Sequence, residues 1–172
     1  MKEKVIGALT MSADTYTALK ADEKATTQAL LVVIMAAICS AIGGGLLASS
    51  IPVGFGSLLL WAVVSWLLWA DAVYLIGVKV FKGEATMSQV MRVLGFAYAP
   101  AAFNIFSFIP LMGIIIQFLV ACWLVVSFYF ATQHVLALSE GSKAAITVLV
   151  GWFIYLIGLG VVISFLGTLA GV

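Results

Sequence analysis

Five long apolar stretches constrain this chain more than any other feature of its sequence. Each is long enough to cross a hydrocarbon core as an α-helix, which takes about 20 residues. The breaks between them contain Gly, Pro or Ser, which end helices, and the stretches lack the in-out alternation of a membrane β-barrel. The sequence predicts an all-α, polytopic membrane helix bundle with about five transmembrane helices, at roughly 26–49, 55–81, 88–109, 111–138 and 144–170.

The scarcity of charge supports the same conclusion. Hydrophobic residues make up 65% of the chain and charged residues 9%, whereas a soluble domain is about one quarter charged. So few charges cannot cover a water-exposed surface, so the lipid bilayer is the expected solvent. The net charge of +1 includes no basic excess, and a nucleic-acid partner is not expected.

The basic residues predict the orientation, because Lys and Arg are retained on the cytoplasmic side of a membrane. The loops around Pro52 and Pro110 carry no charge, and all eight basic residues fall at the other end of the predicted bundle. This distribution predicts a multi-pass protein of the cell (cytoplasmic) membrane. With five spans, the N-terminus is cytoplasmic and the C-terminus extracytoplasmic. The basic residues are Lys2, Lys4, Lys20, Lys24, Lys79, Lys82, Arg92 and Lys143.

The polar N-terminal stretch, residues 3–20, has apolar residues at three- and four-residue steps. That spacing predicts one amphipathic helix lying on the cytoplasmic membrane surface, with a frayed terminus as the alternative. The predicted organisation is a cytoplasmic amphipathic segment over 1–25 and a five-helix transmembrane domain over 26–172. The stripe consists of Val5, Leu9, Tyr16 and Leu19, with Ser12 completing it.

Catalytic chemistry has little support in the residue inventory. The single histidine, His134, has no nucleophile or paired carboxylates arranged around it in the sequence, and no phosphate-binding glycine pattern is present. Cys39 and Cys122 lie in apolar spans without the spacing of a disulfide framework or metal site. We therefore predict no enzyme activity, no cofactor and no metal.

Asp71 is the one carboxylate within the predicted spans, about 12 Å along the helix from Lys79. A carboxylate at that depth is costly and is usually paired or functional. It predicts either a hydrogen-bonding node between helices or a proton or cation site. The candidate partners, chosen by matching depth or by reach, are Tyr74, Tyr98, Tyr129 and Arg92.

Glycines in the last span form two seven-residue steps that let helices approach closely. Gly151 pairs with Gly158, and Gly160 with Gly167. The spacing predicts packing within the protomer or, alternatively, a homo-oligomer interface along the fifth span.

Two stretches resemble the Yip1 domain family in its short, prokaryotic form. One is the lead-in over 4–10 and 15–19. The other follows Gly83 and runs through Val93-Leu94-Gly95-Phe96-Ala97-Tyr98-Ala99-Pro100, which is similar to the family's Gly-aromatic stretch ending in proline. The resemblance covers essentially the whole chain. It implies a five-span fold with a cytoplasmic N-terminus, and its motif residues are Gly83, Gly95, Phe96, Tyr98 and Pro100.

The resemblance implies less about activity. Eukaryotic members of the Yip1 family associate with Rab GTPases and take part in vesicle traffic and membrane shaping. This sequence lacks their long N-terminal region and the Asp-Leu-Tyr-Gly-Pro type motif before the first span. Binding of a Rab-type GTPase is therefore not expected.

Two functional hypotheses remain. The first is a non-enzymatic membrane scaffold or organiser whose partners are the bilayer and either further copies of the chain or other membrane proteins. The second is a small transporter or channel that uses Asp71 as a proton or cation site, together with Asn104, Gln117 and His134. A transporter would be expected to have broken helices and an internal repeat. Five spans cannot form two equal halves, which favours the scaffold.

The predicted topology can be tested with single cysteines placed in a chain whose two native cysteines are replaced by alanine. In intact cells, a membrane-impermeant thiol reagent is expected to label Val172→Cys and to leave Lys82→Cys unlabelled. Labelling of Lys82→Cys together with protection of Val172→Cys would mean the opposite orientation.

Overall fold

The computed structural model of the protein describes residues 1–44 and 55–170, without the side chains of 55–59, 159, 162, 163 and 165–170. Within these ranges the chain is helical and has no strand. Five helical segments are long and apolar enough to cross a membrane, which confirms the predicted all-α bundle. The predicted break at 49–54 lies outside the described residues. The elements are α1 (Lys2–Leu9), α2 (Ala13–Ala21), α3 (Ala25–Gly43), α4 (Phe55–Tyr74), a π-helical segment (Leu75–Val80), α5 (Met87–Ala97), a 3₁₀ segment (Ala99–Phe108), α6 (Gly113–Val135) and α7 (Gly141–Ala170).

The third span changes its winding halfway across. The α-helix α5 ends at Ala97, and the chain continues as ten residues of 3₁₀ helix. Pro100 explains the change, because it has no backbone N–H to donate four residues back and its ring clashes with that carbonyl. Such a long 3₁₀ run is unusual, since these helices seldom exceed about four residues.

Close contacts with α3 hold both halves of this span. A Cβ atom added to Gly43 would lie 1.6 Å from the carbonyl oxygen of Asn104, and one added to Gly95 would lie 2.7 Å from the Cβ of Ala29. Neither position can therefore carry a side chain without moving a backbone. Small residues at such crossings are what membrane helices use to pack tightly.

The N-terminal segment is two helices, so the prediction of one continuous helix over 3–20 is wrong. Helix α1 ends at Leu9 because Met11 adopts a left-handed conformation, with a φ of 55°. The amides of Met11 and Ser12 then donate to the carbonyls of Ala8 and Gly7, which closes the end of α1. The chain reverses there, and α1 and α2 form a helical hairpin.

The apolar side of this hairpin packs against the spans. Ala8, Tyr16 and Leu19 are fully buried in the same core as residues of α3, α5 and α6. The predicted apolar stripe is therefore real, but its buried face contacts protein and not the membrane surface.

An ion pair between Lys4 of α1 and Asp22, just after α2, joins the open end of the hairpin. The Lys4 ammonium holds the pKa of the Asp22 carboxyl below its usual value. Because the folded-state pKa is lowered, the contribution of this pair is present above the ordinary carboxyl pKa and is lost as the pH falls through the lowered one. Both groups are accessible to water, so the contribution is small.

The end of α2, the loop that contains Glu84 and the end of α6 meet at one end of the bundle. Lys20 Nζ donates to the carbonyl of Glu84 at 2.6 Å, and the amide of Glu84 donates to the carbonyl of Leu136 at 3.0 Å. We call this end of the bundle the basic end. The end that carries residues 109–112 is the uncharged end.

Helix α7 packs against α4 and α6. Gly151 faces Trp69 and Val73 of α4, and Gly158 faces Leu68, so this pair of glycines serves packing within the protomer. No described atom lies within 4 Å of a Cβ placed on Gly160. The outward faces of α6 and α7 expose large apolar side chains, as expected for surfaces that contact lipid. They include Ile114, Phe118 and Val125 on α6 and Trp152, Phe153 and Ile157 on α7.

Burial of the hairpin predicts that its apolar side chains contribute to global stability. Leu19→Ala should lower the free energy of unfolding in detergent by about 2–5 kcal/mol, because Leu19 is fully buried. Thr17→Ala, a change at an exposed position of the same helix, should have little effect. Equal stability of the two variants in denaturant titrations would contradict the docked hairpin.

Candidate functional site

Asp71 lies on the outer surface of α4. Its neighbours along that surface, Leu67 and Leu75, are 38% and 40% exposed, and Asp71 is exposed between them. Among the described residues, no hydrogen bond or ion pair reaches its carboxylate. Trp69 and Val73, two residues before and after it, point into the core. Because two residues correspond to about 200° of helical rotation, Asp71 must point away from the core.

The predicted buried node around Asp71 is therefore wrong. Matching depths along the helices does not give the direction in which each side chain points.

The tyrosines proposed as its partners lie elsewhere. Tyr98 packs edge-on against Phe128, with ring centroids 5.0 Å apart, inside an aromatic cluster that also contains Trp69 and Tyr155. Tyr129 packs against Phe130 beside the start of α7. Tyr74 is partly buried against the core. Aromatic packing is the role that the contacts of Tyr98 and Tyr129 show.

Arg92 points toward the N-terminal hairpin, so its predicted pairing with Asp71 is also wrong. The side chain is 6% exposed. Its Nε and Nη2 donate to the carbonyl and hydroxyl oxygens of Ser88, and its Nη1 donates to the carbonyl of Lys20 at 3.3 Å. Lys20 lies in the last turn of α2, where the helix dipole is negative. The cation is therefore stabilised by carbonyl groups, and it holds the end of α2.

Helix α6 holds the other helix of the hairpin. Trp123 Nε1 donates to the carbonyl of Leu9, the last residue of α1, at 3.2 Å. The Tyr16 hydroxyl bonds to the carbonyl of Ala8 and to the hydroxyl of Ser127, both at 3.2 Å. Burial raises the pKa of Tyr16, and the bond to Ser127 opposes this in part, so the phenol stays a neutral donor.

His134 of α6 also contacts Tyr16 of the hairpin, nearer the basic end. Its ring centroid lies 6.0 Å from that of Tyr16, and its Nδ1 lies 2.7 Å from the carbonyl oxygen of Phe130. We call Arg92, Trp123, Ser127 and His134 the hairpin-docking site. The side chains of Arg92 and Trp123 satisfy carbonyls at the ends of α2 and α1, which would otherwise lack partners.

Sequence reasoning identified Arg92 and His134 but not Trp123 or Ser127. These two are four residues apart on α6, so they share a helix face. That spacing was the only available signal.

The residues of the family-like motif organise the bundle. The amide of Gly83 donates to the carbonyl of Gly77 at 2.8 Å, which closes the π-helical segment. Gly95 allows α5 to approach α3, Phe96 is fully buried, and Pro100 lies in the first turn of the 3₁₀ segment.

The residues of the transporter hypothesis do not form one pathway. Asn104 and Gln117 line the same cavity. His134 is 17 residues further along α6, or about 25 Å, and Asp71 is on the outer surface of α4. In the part of the chain that the structure describes, no three His, Cys, Asp or Glu side chains are grouped as metal ligands.

Comparison with known proteins agrees with the fold. The family model of the Yip1 domain matches residues 6–163, which is nearly the whole chain. No curated protein and no solved structure matches this chain.

Arg92 is predicted to hold α2 against the bundle. Arg92→Gln should speed hydrogen exchange of the amides in 13–21, because the shorter neutral side chain does not reach or neutralise the end of α2. The exposed Lys24→Gln removes the same charge nearby and should leave exchange in α2 unchanged. If both variants exchange like the parent, Arg92 does not anchor the hairpin.

Proposed function

The chain belongs to the Yip1 family. We propose that it is a non-enzymatic membrane organiser that acts by associating laterally with other membrane-spanning helices. In our proposal it resides in the cell membrane with the basic end toward the cytoplasm, as the positive-inside rule favours.

The exposure of Asp71 carries the proposal. A candidate span from Leu60 to Val80 presents a carboxyl group outward, near its middle and flanked by exposed leucines. Leaving an ionisable side chain against hydrocarbon is costly, and such residues in membrane proteins face a protein interior, a cavity or a partner. Since Asp71 does not face the described part of its own bundle, a partner helix can supply its hydrogen bonds.

A second copy of the chain is the partner to test first. In a two-fold symmetric pair joined along α4, each copy would bring Asp71 close to the same residue of the other. A protonated carboxyl is both donor and acceptor, so the two groups could bond to each other without repulsion. Leu67 and Leu75 would pack on either side of that contact.

Self-association can be measured by counting photobleaching steps of labelled protein in liposomes at increasing protein-to-lipid ratios. Asp71→Leu should weaken association by about 3- to 20-fold, the effect of losing one polar contact between membrane helices. Asp71→Asn should retain most of it, because an amide still donates and accepts.

Two control variants make this measurement specific. Ser164→Leu changes another exposed polar side chain, on α7, and should have no effect. Gly160→Leu blocks the open glycine face of α7. If Gly160→Leu disrupts association and Asp71→Leu does not, the interface lies along the fifth span. A strictly monomeric parent at all densities would contradict self-association.

A further inference from the structure

A polar cavity lies beside the 3₁₀ segment, between α3 and α6. Its volume is about 390 Å³, within the range of about 300–1,000 Å³ typical of small-molecule sites. Four polar side chains from three elements line it, together with Gly44, Val120, Ala121 and Leu124. They are Ser40, Asn104, Ser107 and Gln117.

The hydrogen bonds within this lining are incomplete. Asn104 Nδ2 donates to Ser40 Oγ at 3.2 Å, and Ser40 Oγ donates to the carbonyl of Ala101 at 3.1 Å. The Oδ1 atom of Asn104 and the Oγ atom of Ser107 are buried and have no hydrogen-bond partner among the described residues. Buried polar groups without partners are rare because desolvating them is costly. Two of them belong to side chains that line this one cavity, where a bound molecule can supply the missing bonds.

The lining determines the chemistry of that ligand. The described residues of the lining contribute carbonyl, amide and hydroxyl groups and no Asp, Glu, Lys, Arg or His side chain. An ion would therefore be desolvated without a countercharge. A ligand hydroxyl group can donate a hydrogen bond to Asn104 Oδ1, and it can donate to or accept from the Ser107 hydroxyl and the Gln117 amide. Hydroxyl groups therefore suit both of the unpartnered atoms, Asn104 Oδ1 and Ser107 Oγ.

The position of the cavity agrees with a ligand that arrives from the membrane interface. Gln117 is exposed and lies four residues, or about 6 Å, from the start of α6 at the uncharged end. This depth is close to that of the polar headgroup region of a bilayer.

We infer that this cavity binds an uncharged, hydroxyl-rich group, either the sugar headgroup of a neutral lipid or a free sugar. The break of the third span at Pro100 creates the site. Asn104 and Ser107 are three residues apart, and a 3₁₀ helix places residues at this spacing on one face of the segment.

The test uses the full chain in phosphatidylcholine nanodiscs. One arm adds monoglucosyl-diacylglycerol, a second adds diacylglycerol with the same acyl chains, a third adds an anionic phosphatidylglycerol, and a fourth adds free glucose to the buffer. Native mass spectrometry measures bound lipid, and thermal unfolding reports stabilisation in all four arms. The glucosyl lipid should be retained and should raise the Tm, and diacylglycerol should do neither. Stabilisation by glucose alone would identify the aqueous phase as the source.

Variants of the lining make the test specific. Ser107→Ala and Gln117→Leu should each weaken binding about 2- to 12-fold, the loss expected for one neutral hydrogen bond. Asn104→Leu should weaken it further, and the two milder variants decide the test if Asn104→Leu does not fold. Ser164→Ala, an exposed serine on α7, is the matched control and should bind like the parent. Equal retention of diacylglycerol, preference for the anionic lipid, no binding in any arm, or unchanged binding by the variants would overturn the inference.

Discussion

The backbone contact between α3 and the two halves of the third span is the constraint on which the other features depend. Gly43 meets the carbonyl of Asn104, and Gly95 meets Ala29, so α3 touches the span both above and below its break. Lipid gives little hydrophobic drive for helices to associate, so small residues that allow close packing carry much of this contact. The position of α5 then determines where Arg92 can bind the end of α2 in the hairpin. The position of the 3₁₀ segment sets the polar cavity.

Backbone groups inside a bilayer need partners within the protein, and this requirement explains where several polar side chains lie. At the break of the third span, amides bond three residues back, as Tyr98 does to Gly95 and Ala101 does to Tyr98. The hydroxyl of Ser40 donates to the carbonyl of Ala101 in the 3₁₀ segment. Trp123 and Arg92 do the same for the ends of α1 and α2. The chain thus uses side chains of the spans to complete helices that are short or interrupted.

Sequence predicts the spans well because apolar length and Pro or Gly breaks have direct physical meaning in lipid. It misses the hairpin because the turn depends on Met11, a residue type with no turn preference, in a left-handed conformation. Lys82, Leu111 and Ala137 adopt the same conformation in the loops between spans. The candidate site is predicted less well. Depth along a helix follows from residue counting, but the direction of Asp71 depends on how α4 packs, which no residue near Asp71 encodes.

The single carboxylate of the spans, Asp71, faces outward, whereas the cation Arg92 faces inward. Spin labels at Leu67 and Leu75, one turn on either side of Asp71, measure this directly through their collision rates with oxygen in dilute detergent-solubilised protein. High oxygen accessibility at both positions, with low accessibility at Val73 and Ile76, is the predicted result, since the first two are exposed and the last two buried. Low accessibility at Leu67 and Leu75, with high accessibility at Val73, would place Asp71 inside the bundle and contradict this arrangement.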